Sequence, residues 1–410
     1  MDQTIRPANS VVLFKLETTE NEDANPTAAN AIPFEADGVS YNSPYTEETS
    51  NEATGSLVTG APLIVGQPAE VTIRFRKKGA NAAYTALVKP PHHEVYAACG
   101  FKPLFTSAIA AVALTAGTAT SATLGAGFDG TAQKYRGMPL VFSGAGAPGE
   151  GRTSMIADYS AGKVATLVDL FGDPLTSSTL AEIPANWTYA GTSPADATAR
   201  ITDHPSGTLY LYEDGTLLKF TGCRGIPTDW GGDTAKAGFI TVKLMGVFRG
   251  KTDAAVPAVS VPAHSAPMVV QGVSRLDPAV LVNRKGLPID KWAINMQSEQ
   301  ESPADPNTDW GFGPSILGKR TPRLEVDPKA TLVATRNILA EIGASSQYTG
   351  MVRAMGSANN RWAITLPQIQ PAQSTPGTSG SLRTEQQSYA ATSPGKDPTG
   401  RDGELILCFW

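Results

Sequence analysis

Hydrophobic residues in this chain fall in short runs, and the clearest runs alternate with polar positions. In Ala69–Arg76, Val71, Ile73 and Phe75 face one side while Thr72, Arg74 and Arg76 face the other. That is the period-two pattern of a half-buried strand. Val11–Leu16, Lys291–Met296, Pro322–Val326 and Arg361–Gln370 are further predicted strands. Gly207–Phe220 predicts a hairpin, because Asp214-Gly215 lies between two apolar runs and suits the positive φ of a tight turn. Gly238–Phe248 predicts the strand that follows. Two runs carry helix punctuation: His92–Phe101, after Pro90-Pro91, and Ala334–Gly343. The apolar run Glu404–Trp410 predicts an inserted strand, since exposed it would be an aggregation site.

Elsewhere the period is lost. Glu17–Asn30 is polar and acidic, and Ala36–Pro68 predicts a long extended loop. Ala254–Pro267 reads as a linker and Pro371–Asp402 as a polar arm. From about Phe105 to Thr192 the texture changes to Ala, Gly, Thr and Ser, then to short strands with Gly turns at Tyr135–Phe142, Arg152–Tyr159 and Lys163–Val168. The blocks on either side both run strands, short helix, strands. We expect a mainly β fold with short helices, of sandwich or barrel type. One unit comprises 1–104 and 193–256, a small β module at 105–192 is inserted in it, and a second, related unit spans 257–410.

Composition narrows the function classes. Charged residues make up 17% of 410, below the usual quarter or so, which suits a surface buried against copies of itself. Net charge is −5 and no basic cluster exceeds Arg74, Arg76, Lys77 and Lys78, too few for tight phosphate binding. The start, MDQTIRPANS, carries no leader pattern, and no apolar run is long enough to predict a membrane span. Cys99, Cys223 and Cys408 are far apart and predict buried thiols in a reducing compartment. Adjacent His92 and His93 point about 100° apart on a helix and do not share a metal easily. The Gly144–Gly151 run lacks the Lys-Ser/Thr of a phosphate loop. We expect no catalytic, metal or cofactor-binding residue and no enzyme. Paired carboxylates distant in the chain, as a glycosidase uses, leave no mark in one sequence.

Several short motifs occur in a telling order. They are Glu52-Ala53-Thr54-Gly55-Ser56-Leu57, Pro62-Leu63-Ile64-Val65-Gly66, Val71–Phe75 and Ala97-Ala98-Cys99-Gly100-Phe101, then Leu209–Gly215 and Leu218–Gly225 with Gly222-Cys223-Arg224-Gly225. Together, over 32–101 and 193–275, they resemble tail tube (major tail) proteins of long-tailed bacteriophages. In that family the hairpin and its Gly222–Gly225 end pack beside the helix ending at Cys99-Gly100. Tyr135–Met138, Gly146–Arg152, Ile156–Tyr159 and Lys163–Leu167 resemble a small β module of phage structural proteins that usually decorates the outside of the particle. The C-terminal block looks like a second tube domain.

The resemblance implies a structural subunit of the virion tail, assembled in the host cytoplasm. Its rings would be trimers with pseudo-six-fold symmetry, stacked into a tube. Its partners would be copies of itself and the tape measure, terminator and distal tail proteins. Viral DNA would pass through the lumen without specific binding, and no membrane is involved. The alternative is a β-rich virion decoration or a receptor- or glycan-binding protein. For ring stacking the candidate loop residues are Glu47, Glu48, Glu52, Leu57, Leu63 and Val65. For an inter-subunit strand or arm they are Arg74, Arg76, Gln368, Gln370 and Arg383.

Overall fold

The computed structural model of the chain describes residues 4–6, 8–53, 55–259, 269–272, 277–308 and 310–410. Residues 260–267 of the expected linker, and Thr54 of the Glu52–Leu57 motif, lie outside the described residues. The fold is mainly β, as the alternation implied. Two antiparallel sheets dominate it, one of 17 strands and one of 7.

The large sheet contains one strand pattern twice. In the N-terminal half, Ser10–Leu16 pairs with Gly207–Glu213, which pairs with Thr216–Asp233. That long strand pairs with Phe239–Asp253, then come Ala69–Arg76 and Val39–Tyr41. In the C-terminal half, Val280–Val282 pairs with Tyr348–Ala354, and that strand with Trp362–Ser379. Leu382–Ala391, Arg323–Pro328 and Ile289–Asn295 follow. Corresponding strands come in the same chain order. A short helix lies at the same point of each half: α1 (His93–Ala98) and α3 (Ile338–Gly343). Both halves also share one irregularity. Gly207↔Cys223 steps to Leu209↔Phe220, and Tyr348↔Ile369 steps to Gly350↔Leu366, two residues against three each time.

The halves are joined edge to edge. The end of Thr216–Asp233 pairs with Ile289–Asn295, with Trp230 opposite Ile294 and Gly232 opposite Trp292. One apolar core runs beneath both and includes Phe75, Val95, Trp230, Trp292, Ile364 and Phe409. Asp214 and Gly215 take φ of 41° and 103° in the predicted tight turn. Gly225 packs against the Cys99 thiol, where an added Cβ would lie 3.1 Å from Sγ. The hairpin end and α1 therefore touch.

The smaller sheet runs from Ile109–Ala113 to Leu180–Ile183 and encloses its own core, with Leu140, Phe142, Ile156 and Leu167. The strands that flank it in the chain, Phe101–Thr106 and Asn186–Thr192, pair with each other and belong to the large sheet. The expected inserted strand is Arg401–Phe409, buried along its whole length between Asn186–Thr192 and Trp362–Ser379. Leu405, Leu407 and Phe409 enter the main core. Cys408 and Trp410 pack instead with Met155 and Ala157 of the smaller sheet and Met351 and Ala363 of the large one. At the same junction Arg353 is fully buried. It reaches Asp169 at 3.1 Å, Asp277 at 3.4 Å and the Thr153 carbonyl at 2.7 Å.

Three expectations are corrected. Ala36–Pro68 is not a structureless loop: it holds Val39–Tyr41 and a hairpin, Tyr45–Glu48 with Leu63–Gly66. These strands are mostly exposed, with only Val39, Val65 and Gly66 half-buried, so no alternation marks them. Pro371–Asp402 is not an irregular arm: Trp362–Ser379 runs on through it and returns as Leu382–Ala391. The helices are shorter than His92–Phe101 and Ala334–Gly343, because strands and turns take up their ends.

Candidate assembly surfaces

The hairpin Tyr45–Glu48/Leu63–Gly66 stands out from the sheet with an acidic stem and an apolar end. Glu47, Glu48 and Glu52 are exposed, and Leu57 is wholly exposed. Val58, Leu63 and Ile64 are also exposed, while Val65 is half-buried. Its root is braced by the C-terminal half. Tyr45 meets the Trp310 ring edge-on at 4.8 Å, and the Trp310 indole donates to the Phe248 carbonyl at 2.8 Å. Gly66 is required there, since a Cβ would lie 2.1 Å from the Trp310 carbonyl oxygen. The apolar side chains of the hairpin are thus held outward on a braced stem.

The residues picked for an inter-subunit strand do not gather in one place. Arg74 and Arg76 both pair with Glu35, Arg74 at 2.8 Å, and the Arg74 guanidinium also lies 3.9 Å from the centre of the Phe239 ring. Their strand is flanked on both sides, so it is no free edge. Gln368 donates to Gln347 at 2.6 Å, and Gln370 is half-buried. Arg383 is exposed near the tip of the second long hairpin, where its carbonyl accepts from the Ala330 amide.

The free edges lie elsewhere. Among the described residues, no strand pairs with Val39–Tyr41 on the side away from Ala69–Arg76. None pairs with Gln373–Ser379 on the side away from Leu382–Ala391. Sequence alone did not point to either edge, because an edge is defined by a missing neighbour. Unsatisfied edges of this kind recruit other strands.

The titratable groups inside the fold are engaged structurally. The His92 ring stacks on Phe75 at 3.8 Å, and its Nε2 lies 2.7 Å from the Pro33 carbonyl. The His93 Nδ1 lies 2.8 Å from the Tyr189 hydroxyl, and burial, with Lys89 nearby, holds its pKa down to about 3. Cys99, Cys223 and Cys408 are buried free thiols, each pushed up by burial. Sequence reasoning missed Lys77 inside its basic run. It is fully buried, with Nζ 4.5, 4.9 and 5.7 Å from the rings of Trp362, Trp292 and Trp230. Among the described residues no group of three or more His, Cys, Asp or Glu is placed to hold a metal. No helix among them is long and apolar enough to cross a membrane. A cleft of about 520 Å³ on the C-terminal half is lined by Lys291, Arg323, Glu325, Gln373 and Gln386, a mixed polar wall.

No protein-family model matches this chain, and no curated protein matches it.

Proposed function

We propose that the chain is a structural subunit of a phage tail tube, built to polymerise and to conduct DNA passively. The observation that carries the reading is the large sheet: it passes through two like halves and, among the described residues, leaves strand edges open at Val39–Tyr41 and Gln373–Ser379. An open edge is a liability that closure with further copies removes. Contacts between unlike surfaces repeat, giving rings where the rotation closes and filaments where it does not. The exposed hairpin with Leu57, Val58, Leu63 and Ile64 supplies a second contact, directed at the next ring. On this reading three chains make a pseudo-six-fold ring, and the remaining partners are other tail proteins. The net charge of −5 and the low charged fraction suit a conduit that DNA crosses without sticking.

The test is negative-stain microscopy of the purified chain at rising concentration, alone and with tail-tip proteins. Hollow tubes of uniform diameter support the reading. Monodisperse single chains under every condition reject it.

A further inference from the structure

The junction inside the chain is a template for the junction between chains. From its geometry we infer that the open edge of Pro376–Ser379 pairs, antiparallel, with the open edge of Val39–Tyr41 in a second copy. The inference deepens the ring-forming reading and rests on it.

The register follows from the ladder. The irregularity shared by both halves sets Cys223 against Ile369 and Phe220 against Leu366. From that anchor, Gly225↔Leu244 corresponds to Pro371↔Tyr389. The next strand sets Val71 against Leu324 and Ile73 against Val326. The strand beyond sets Val39 against Trp292 and Tyr41 against Ile294. Along the long strands, Trp230 corresponds to Pro376 and Gly231 to Gly377, through their partners Ile240 and Glu385, Phe239 and Thr384. Within the chain Trp230 sits opposite Ile294, Gly231 opposite Ala293 and Gly232 opposite Trp292. Between copies Pro376 therefore sits opposite Tyr41, Gly377 opposite Ser40 and Thr378 opposite Val39.

Burial marks the same positions. Trp230, Gly231 and Gly232 are buried by the strand laid against them, whereas Pro376 and Thr378 are exposed and Gly377 is half-buried. Ile294 is buried whereas its counterpart Tyr41 is exposed, and Trp292 is buried whereas its counterpart Val39 is only half-buried. Each open edge thus lacks the neighbour that its counterpart has inside the chain. The glycine is matched too. A Cβ on Gly231 would lie 2.7 Å from the Trp292 carbonyl oxygen across the inner junction, and the chain carries glycine again at Gly377. Thr216–Asp233 and Trp362–Ser379 are both 18 residues long, so the second reaches as far past its own half as the first.

Facing residues of an antiparallel pair lie within disulfide reach. Val39→Cys and Thr378→Cys are placed on separate full-length chains, mixed, assembled and oxidised. The native cysteines are buried and do not compete. A covalent dimer that forms only in the mixture is expected. Tyr41→Cys in place of Val39→Cys moves the partner two residues along the strand and should give about tenfold less product. Assembled rings or tubes without this cross-link, or with equal yield at both registers, overturn the pairing while leaving the tube reading intact. A correctly folded mixture that neither assembles nor cross-links overturns both.

Discussion

Replacing Lys77 with methionine should make the isolated chain more stable at neutral pH and flatten one part of its pH dependence. Lys77 is fully buried among three tryptophan rings, and among the described residues the Phe239 carbonyl, at 3.3 Å, is the hydrogen-bond partner of its Nζ. Burial, with Arg76 nearby, pushes its pKa well below the ordinary lysine range. The unfolded chain therefore binds this proton more tightly than the folded one. The stability Lys77 contributes is complete above the unfolded lysine pKa and is lost as pH falls toward the folded value. In the wild type, stability should rise with pH by at most about 1.4 kcal/mol per unit from this residue. The rise lies below the unfolded lysine pKa of about 10.4, and taking wild type minus variant cancels the histidine, cysteine and tyrosine contributions. Lys77→Met keeps the length and apolar stem, and removing a poorly satisfied buried amine should stabilise the chain by about 1–3 kcal/mol. Urea unfolding at several pH values, read as wild type minus variant, checks both. A variant that loses more than about 2 kcal/mol with no difference in slope would overturn this expectation. Cation–π attraction to the three rings would then outweigh desolvation.

Two further outcomes follow from buried polar groups. His93 is neutral in the fold with its pKa held near 3, so its contribution is whole above the unfolded value of about 6.5 and drains as pH falls toward 3. That interval corresponds to a contribution on the order of 5 kcal/mol, and His93→Gln should flatten the acid limb of a stability-versus-pH curve. Asp169→Asn leaves the buried Arg353 with a weaker set of partners. The loss should be about 3 kcal/mol, with hydrogen exchange rising first between the smaller sheet and Arg401–Phe409; unchanged exchange there would mean the ion pair does not hold that junction.

What the sequence revealed was whatever alternates. Ala69–Arg76 buries every second side chain, and its strand was legible for that reason. The Asp214-Gly215 hairpin was legible from turn chemistry, and Arg401–Phe409 from the cost of exposing so apolar a run. The strands at Val39–Tyr41, Tyr45–Glu48 and Gln373–Ser379 show little burial on either face. Their identity comes from backbone pairing, which side-chain patterning does not record. For the candidate surface, Glu47, Glu48, Leu57 and Leu63 did mark an exposed segment. Arg74 and Arg76 misdirect a reader of the sequence because both are already engaged by Glu35, whose amide also donates to the Arg74 carbonyl. Lys77 misleads likewise, since a basic run gives no sign that one of its members turns inward.

On the proposed reading, sister chains close the open sheet edges. A near-atomic cryo-electron microscopy reconstruction of the assembled particle tests this most directly. It should show one unbroken antiparallel ladder around each ring, with the inner Trp230–Ile294 junction alternating with a Pro376–Tyr41 junction between copies. Copies held together through other surfaces, with both strand edges facing water, would contradict it.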